Sequence, residues 1–409
     1  MKKKMNKTVN LYLPEGLQVF ASERVDKNCN PPMIGMDELY VTFNDAVEGN
    51  KVVAAHDKKI TQWLKDNNPS IGKHNSMFHH MVYNTWYHTG FHNAHRGGTR
   101  KVVSRVAQDG NSLFYRFDAH TILEVSPGGK RFINIDELLN SNFAFYDDKW
   151  SRNQSLPEAN PECDWVQHLG MLLHIKEEER KFWAILIATL FVPNVNTPFI
   201  YVGSESSTAS KMLNFVLQEL LDPVREDAFY MPRASRYTGY EVNKRYVWSL
   251  ASVDDLPEPA LHPCCVVVAD DYFAKDNSRS SDFVTIQQVP YNEALDVVDE
   301  LKEFIIATKP YMLDAIFTAL SAAFSIQDSI EVNADGKFAD FERLGRALSI
   351  VLFGDDKEFL QTYEQQQGIH FVKHDRPHIE YGFVEDIVVP GMKKLVNIDY
   401  KPWTNNANS

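Results

Sequence analysis

The chain has 409 residues, 44% hydrophobic and 24% charged, with a net charge of −13 at pH 7. That length suits two or three domains with their own cores, while the acidity argues against a surface coated for wholesale nucleic-acid binding. No apolar run approaches the ~20 residues that span a bilayer, and four cysteines (Cys29, Cys163, Cys264, Cys265) form neither a disulfide framework nor a CxxC metal spacing.

In chain order, "MKKKMNKTVNLYLPEG" starts basic but has no apolar core, so it is not read as a signal peptide. Residues 1–50 read as irregular, with a turn cluster at "DKNCNPP", and residues 53–95 as helical. Residues 101–134 change period: three short β-runs are divided by the hairpin signals "QDGN" and "SPGGK". Residues 1–150 are therefore expected to form an α+β region with a β-hairpin module. Polar "DDKWSRNQSLPEANPE" follows, and 151–163 is assigned as a linker.

From 164 to 291 the pattern becomes α/β. "DWVQHLGMLLHI" and "EEERKFWAILIATLFV" read as helices, the second opening on carboxylates that suit a helix N-terminus. Phe182–Val192 is about half the length of a membrane span and reads as a buried helix. "PFIYVG" reads as a buried strand, Ala209–Leu221 as a helix, and "RYVWSLASV", "CCVVVAD" and "DFVTIQQV" as strands of a mostly parallel sheet, with Cys264 and Cys265 buried. Residues 292–367 read as a helical, lid-like subdomain. Its two first helices, "NEALDVVDELKEFIIATK" and "PYMLDAIFTALSAAFSI", are divided at Pro310. Residues 368–409 read as short strands and a disordered tail.

The stretch "FIYVGSESSTASKML" has the outline of a phosphate-binding loop: an apolar strand, a Gly, a run of Ser and Thr, then a helix. A working loop has the form GxxxxGK[ST], in which backbone N–H groups hold the phosphates, Lys neutralises them and a hydroxyl ligates Mg²⁺. Counted from Gly203, the second Gly falls at Thr208, the Lys at Ala209 and the hydroxyl at Ser210. Lys211 comes two residues late, which on a helix is about 200° round. Gly203, Ser207 and Ser210 are the residues left to hold a nucleotide.

The ordered series of elements resembles a family of P-loop ATPases, related to primase-associated helicases, found in phages, plasmids and other mobile elements. "RVAQDGNSLFYRFDAHTILEVSPGGKRFI" is similar to the family's hairpin module, and "FIYVGSESSTASKMLNFVLQELLDPV" to its phosphate-loop strand and helix, down to Asp222-Pro223. "HPCCVVVADDYFAKDNSRSSDFVTIQQVPYNE" and "LKEFIIATKPYMLDAIFTALSAAF…FADFERLGRAL" are similar to its late core strands and C-terminal helices. The resemblance spans roughly 95–367 and implies an α/β P-loop NTPase-like core, with ring assembly through core-to-lid surfaces. Carried over by residue, it also implies that the reaction has been abandoned. Ala209 replaces the phosphate lysine and Ala251, in "YVWSLAS", the acid that organises Mg²⁺. Val267–Ala269 meet the sensor-like Asn, and Ser280-Ser281 meet the arginine-supplying "DR", with Arg279 close by. Between Ala251 and His262 the chain is also shorter than the family.

Other candidates are weaker. His88 and His92, among six His in 74–95, have i,i+4 spacing, yet Gly90 intervenes and a solvated helix face explains them better. "RASRYTGYEVNKRY" interleaves Arg233, Arg236, Lys244 and Arg245 with Tyr237, Tyr240 and Tyr246, a pattern that suits a single-stranded nucleic acid but equally a solvated connection. Asp254/Asp255 and Asp270/Asp271 lie at expected strand ends and read more simply as turn residues. No Ser-His-Asp or Cys-His arrangement is legible.

The expectation is a catalytically inactive helicase- or ATPase-like scaffold of viral or mobile-element origin, in the cytoplasm (of the host, if viral). It would act in assembly or replication, by self-association or beside an active ATPase paralogue, with no metal and no cofactor. Two alternatives remain open: a divergent working NTPase using Mg-ATP, and a replication accessory binding single strands through 233–246.

Overall fold

A computed structural model describes residues 18–26, 33–45, 49–54, 99–138, 141–146, 151–203, 207–224, 246–250, 264–269, 283–286 and 295–367. These fall into two compact units. The first comprises the described residues up to Gln154 together with 222–224 and Tyr246. The second comprises Ser155–Leu221 and those from Val247 onward.

In the first unit, β1 (Gln18–Asp26), β2 (Met33–Asp45) and β3 (Gly49–Ala54) form an antiparallel meander. β1 also pairs in parallel with β4 (Thr99–Val103), and β4 with β9 (Phe143–Phe145), giving the order β3-β2-β1-β4-β9. The irregular reading of 1–50 is thus corrected, as is the start of the helix expected at 53; residues 55–98 lie outside the described residues. A register shift between Ala21 and Glu23 breaks the period-2 signal of β1, and Asp37-Glu38 interrupt the apolar run of β2.

A second sheet is an antiparallel meander of β5 (Val106–Asp109), β6 (Ser112–Arg116), β7 (Thr121–Ser126) and β8 (Gly129–Asn134). The sequence suggested three β-runs here; there are four strands besides β4. The unforeseen turn has no glycine. Asp118 Oδ1 accepts from the backbone N–H of both His120 and Thr121 at 2.8 Å, closing an Asx turn inside "YRFDAHT". Phe114, Ile122 and Ile133 pack with Val103, Phe143 and Phe145 in one buried cluster.

The second unit opens with α1 (Trp165–Leu172), capped by Asp164 Oδ1 accepting from Gln167 N at 3.0 Å. The glutamates 177–179 form a 3₁₀ turn that leads into α2 (Arg180–Thr189), and every residue from Phe182 to Val192 is buried. β10 (Phe199–Gly203), α3 (Ser207–Leu221), β11 (Val247–Leu250), β12 (Cys264–Ala269) and β13 (Phe283–Ile286) follow. The four strands form one all-parallel sheet of order β11-β12-β10-β13.

The remaining helices are α4 (Leu295–Ile326), α5 (Ala339–Phe353) and α6 (Lys357–Gln367). α4 corrects the division expected at Pro310, which lies inside one helix. Leu301, Ile305, Lys309, Met312, Leu313, Ile316, Phe317 and Leu320 are all buried, so one helical stripe runs through the proline. The carbonyl that Pro310 cannot serve belongs to Ile306, which is exposed to water. α5 and α6 pack on α2 through Phe182, Phe341, Phe359 and Tyr363, with Phe182 stacked on Phe359 at 5.8 Å.

Candidate functional site

β10 holds an inner place in the parallel sheet, with β12 on one side and β13 on the other. Register puts Gly203 level with Ala269 and Val202 level with Ile286. From β10 the chain goes to β11, beyond β12; from β12 it goes to β13, beyond β10. The connections from these two neighbouring strands leave in opposite directions. That is a topological switch point, and open α/β sheets bind ligands outside the carboxyl ends of the strands there.

Gly203 ends β10, Ser207 is the first residue of α3 and Ser210 the fourth, so the three residues fall at the end of a strand and the start of the next helix, at this switch point. Ala209 lies in the first turn of α3, where the phosphate lysine of a P-loop belongs. Val267, Val268 and Ala269 run beside Tyr201, Val202 and Gly203, so the strand next to β10 ends in apolar residues. β11 ends at Leu250, level with Val267. Ala251, Asp254, Asp255, Asp270, Asp271 and Arg279 lie outside the described residues. So do Arg233, Arg236, Tyr237, Tyr240, Lys244, Arg245 and the histidines of 74–95.

Sequence reasoning missed a buried clamp in the first unit. Arg105, the arginine of "RVA", and Asp222, the residue after α3, are each only 3% exposed at the side chain, and Arg105 Nε donates to Asp222 Oδ1 at 3.1 Å. The other carboxylate oxygen accepts from the backbone N–H of Tyr246 at 2.9 Å, one residue before β11. The guanidinium also donates to the carbonyls of Arg152 at 2.7 Å, Arg116 at 3.0 Å and Pro223 at 3.3 Å. Charge-assisted bonds to a carboxylate and several carbonyls satisfy both buried ions. The two marks of the resemblance, "RVA" and Asp222-Pro223, are therefore joined directly. Their separation of 117 positions hides the pair from any local reading.

Two smaller constellations belong to the second unit. Lys309 Nζ reaches Glu219 Oε2 at 2.8 Å with both side chains buried, tying α4 to α3. Cys163 Sγ lies 3.7 Å from His168 Nδ1, a Cys-His contact that the sequence reading did not find. Burial, and then the Asp164 charge, push the thiol above its ordinary range, whereas a reactive cysteine needs the thiolate. Burial also lowers His168, against the opposing pull of Asp164. Among the described residues no group of three His, Cys, Asp or Glu could hold a metal, and no helix is long and apolar enough to cross a membrane.

No family model and no curated protein matches the chain. Two solved structures, both described as A-form apo structures of the NrS-1 C-terminal region, are similar to it in part. One is 10% identical at a TM-score of 0.35, covering 85% of this chain and 92% of that one. The other is 9% identical at 0.36, covering 85% and 91%. A TM-score of that size carries no argument about function.

Proposed function

We propose that the chain is a degenerate, catalytically inactive ATPase-like scaffold of viral or mobile-element origin. It acts in replication or assembly by binding protein or nucleic acid, as a homo-oligomer or beside an active ATPase paralogue. The observation that carries this reading is Ala209 in the first turn of α3, directly past a strand that ends at the switch point of a parallel sheet. A strand ending at Gly203 and a helix beginning at Ser207 support the reading of a former phosphate cradle, with Ala209 where its lysine would stand. Lys211 lies about 200° round the helix from Ala209 and so is no substitute in the same turn. Phosphoryl transfer depends almost wholly on positioning and electrostatic stabilisation, so losing the lysine removes the main term. The apolar end of β12 points the same way.

Calorimetric titration of the whole chain with Mg-ATP tests this. The wild type should give no heat of binding. Micromolar binding that Ser210→Ala abolishes would sink the reading in favour of a divergent working NTPase. Ala209→Lys should create or strengthen binding if the cradle's backbone is otherwise intact.

A further inference from the structure

We draw no further inference here: the strongest candidate, the acidic loop between α4 and α5 with Glu331, Asn333, Asp335 and Glu342 at the spacing of a calcium-binding loop, is a cluster whose carboxylates form no group of three among the described residues and whose Lys337 carbonyl already accepts from Asn196 Nδ2 at 2.9 Å.

Discussion

At the scale of single residues, the Cys163–His168 pair shows how burial sets chemistry. Both groups are neutral over a defined window. His168 is held below its ordinary 6.5, so below that pH the unfolded chain takes up a proton that the folded chain refuses, and stability falls with falling pH. Cys163 is held above its ordinary 9.0, so above that pH the unfolded chain releases a proton that the folded chain keeps, and stability falls with rising pH. These two groups should therefore add a loss of thermal midpoint on the acid side of 6.5 and another on the basic side of 9.0. His168→Gln should lessen the acid-side loss and Cys163→Ala the basic one. Identical profiles for wild type and both variants would refute the assignment.

Among elements, the packing of α5 on α6 is tight enough to be read by one methyl group. A Cβ at Gly345 would collide with the buried ring of Phe359, which stacks on both Phe182 and Tyr363. Overpacking of this kind costs about 1–3 kcal/mol, so Gly345→Ala should be destabilising although alanine favours helices. Urea unfolding should show it, and Gly345→Ala with Phe359→Leu should recover part of the loss. A neutral Gly345→Ala would mean that the ring moves freely.

This scale also shows what was legible beforehand. β10, α3 and the later parallel strands were visible because short β-branched runs alternate with one strongly periodic helix. α4 was divided at Pro310 because a proline normally ends a helix, and its local sequence does not reveal that Ile306, four residues before it, is exposed. β1 and β2 were missed where a bulge and an acidic pair spoil the alternation. The turn at Asp118 was missed because it works through a side chain and not a glycine. For the candidate site, the strand end at Gly203 and the helix that carries Ser210 were legible from sequence alone. The switch point could not, because strand order depends on pairings between distant segments.

At the scale of the whole molecule, Asp222 joins segments far apart in the chain, bonding Arg105 and the backbone of Tyr246. Removing one partner of a buried ion pair leaves the other charged and without compensation, at a cost of about 3–5 kcal/mol. Asp222→Ala should therefore destabilise the chain by that amount, measured by urea unfolding followed by circular dichroism. Arg105→Met with Asp222→Leu should cost less than the single change, since the ion pair is then removed whole. If the double variant is the less stable, the clamp's bonds to the carbonyls of Arg116, Arg152 and Pro223 outweigh the pairing itself.

The clamp also sets an order of events in synthesis. Arg105 leaves the ribosome long before its carboxylate, and the backbone donor at Tyr246 comes later still. About 90 residues separate Gln154 from Tyr246, which at ~5–20 residues per second takes roughly 5–20 s. Through that interval the nascent first unit holds an unmatched guanidinium at what will become its interior. It cannot finish folding as a newly made N-terminal domain usually does. Closure waits for chain that first has to pass through β10 and α3, so the first unit is completed only after part of the second has been made.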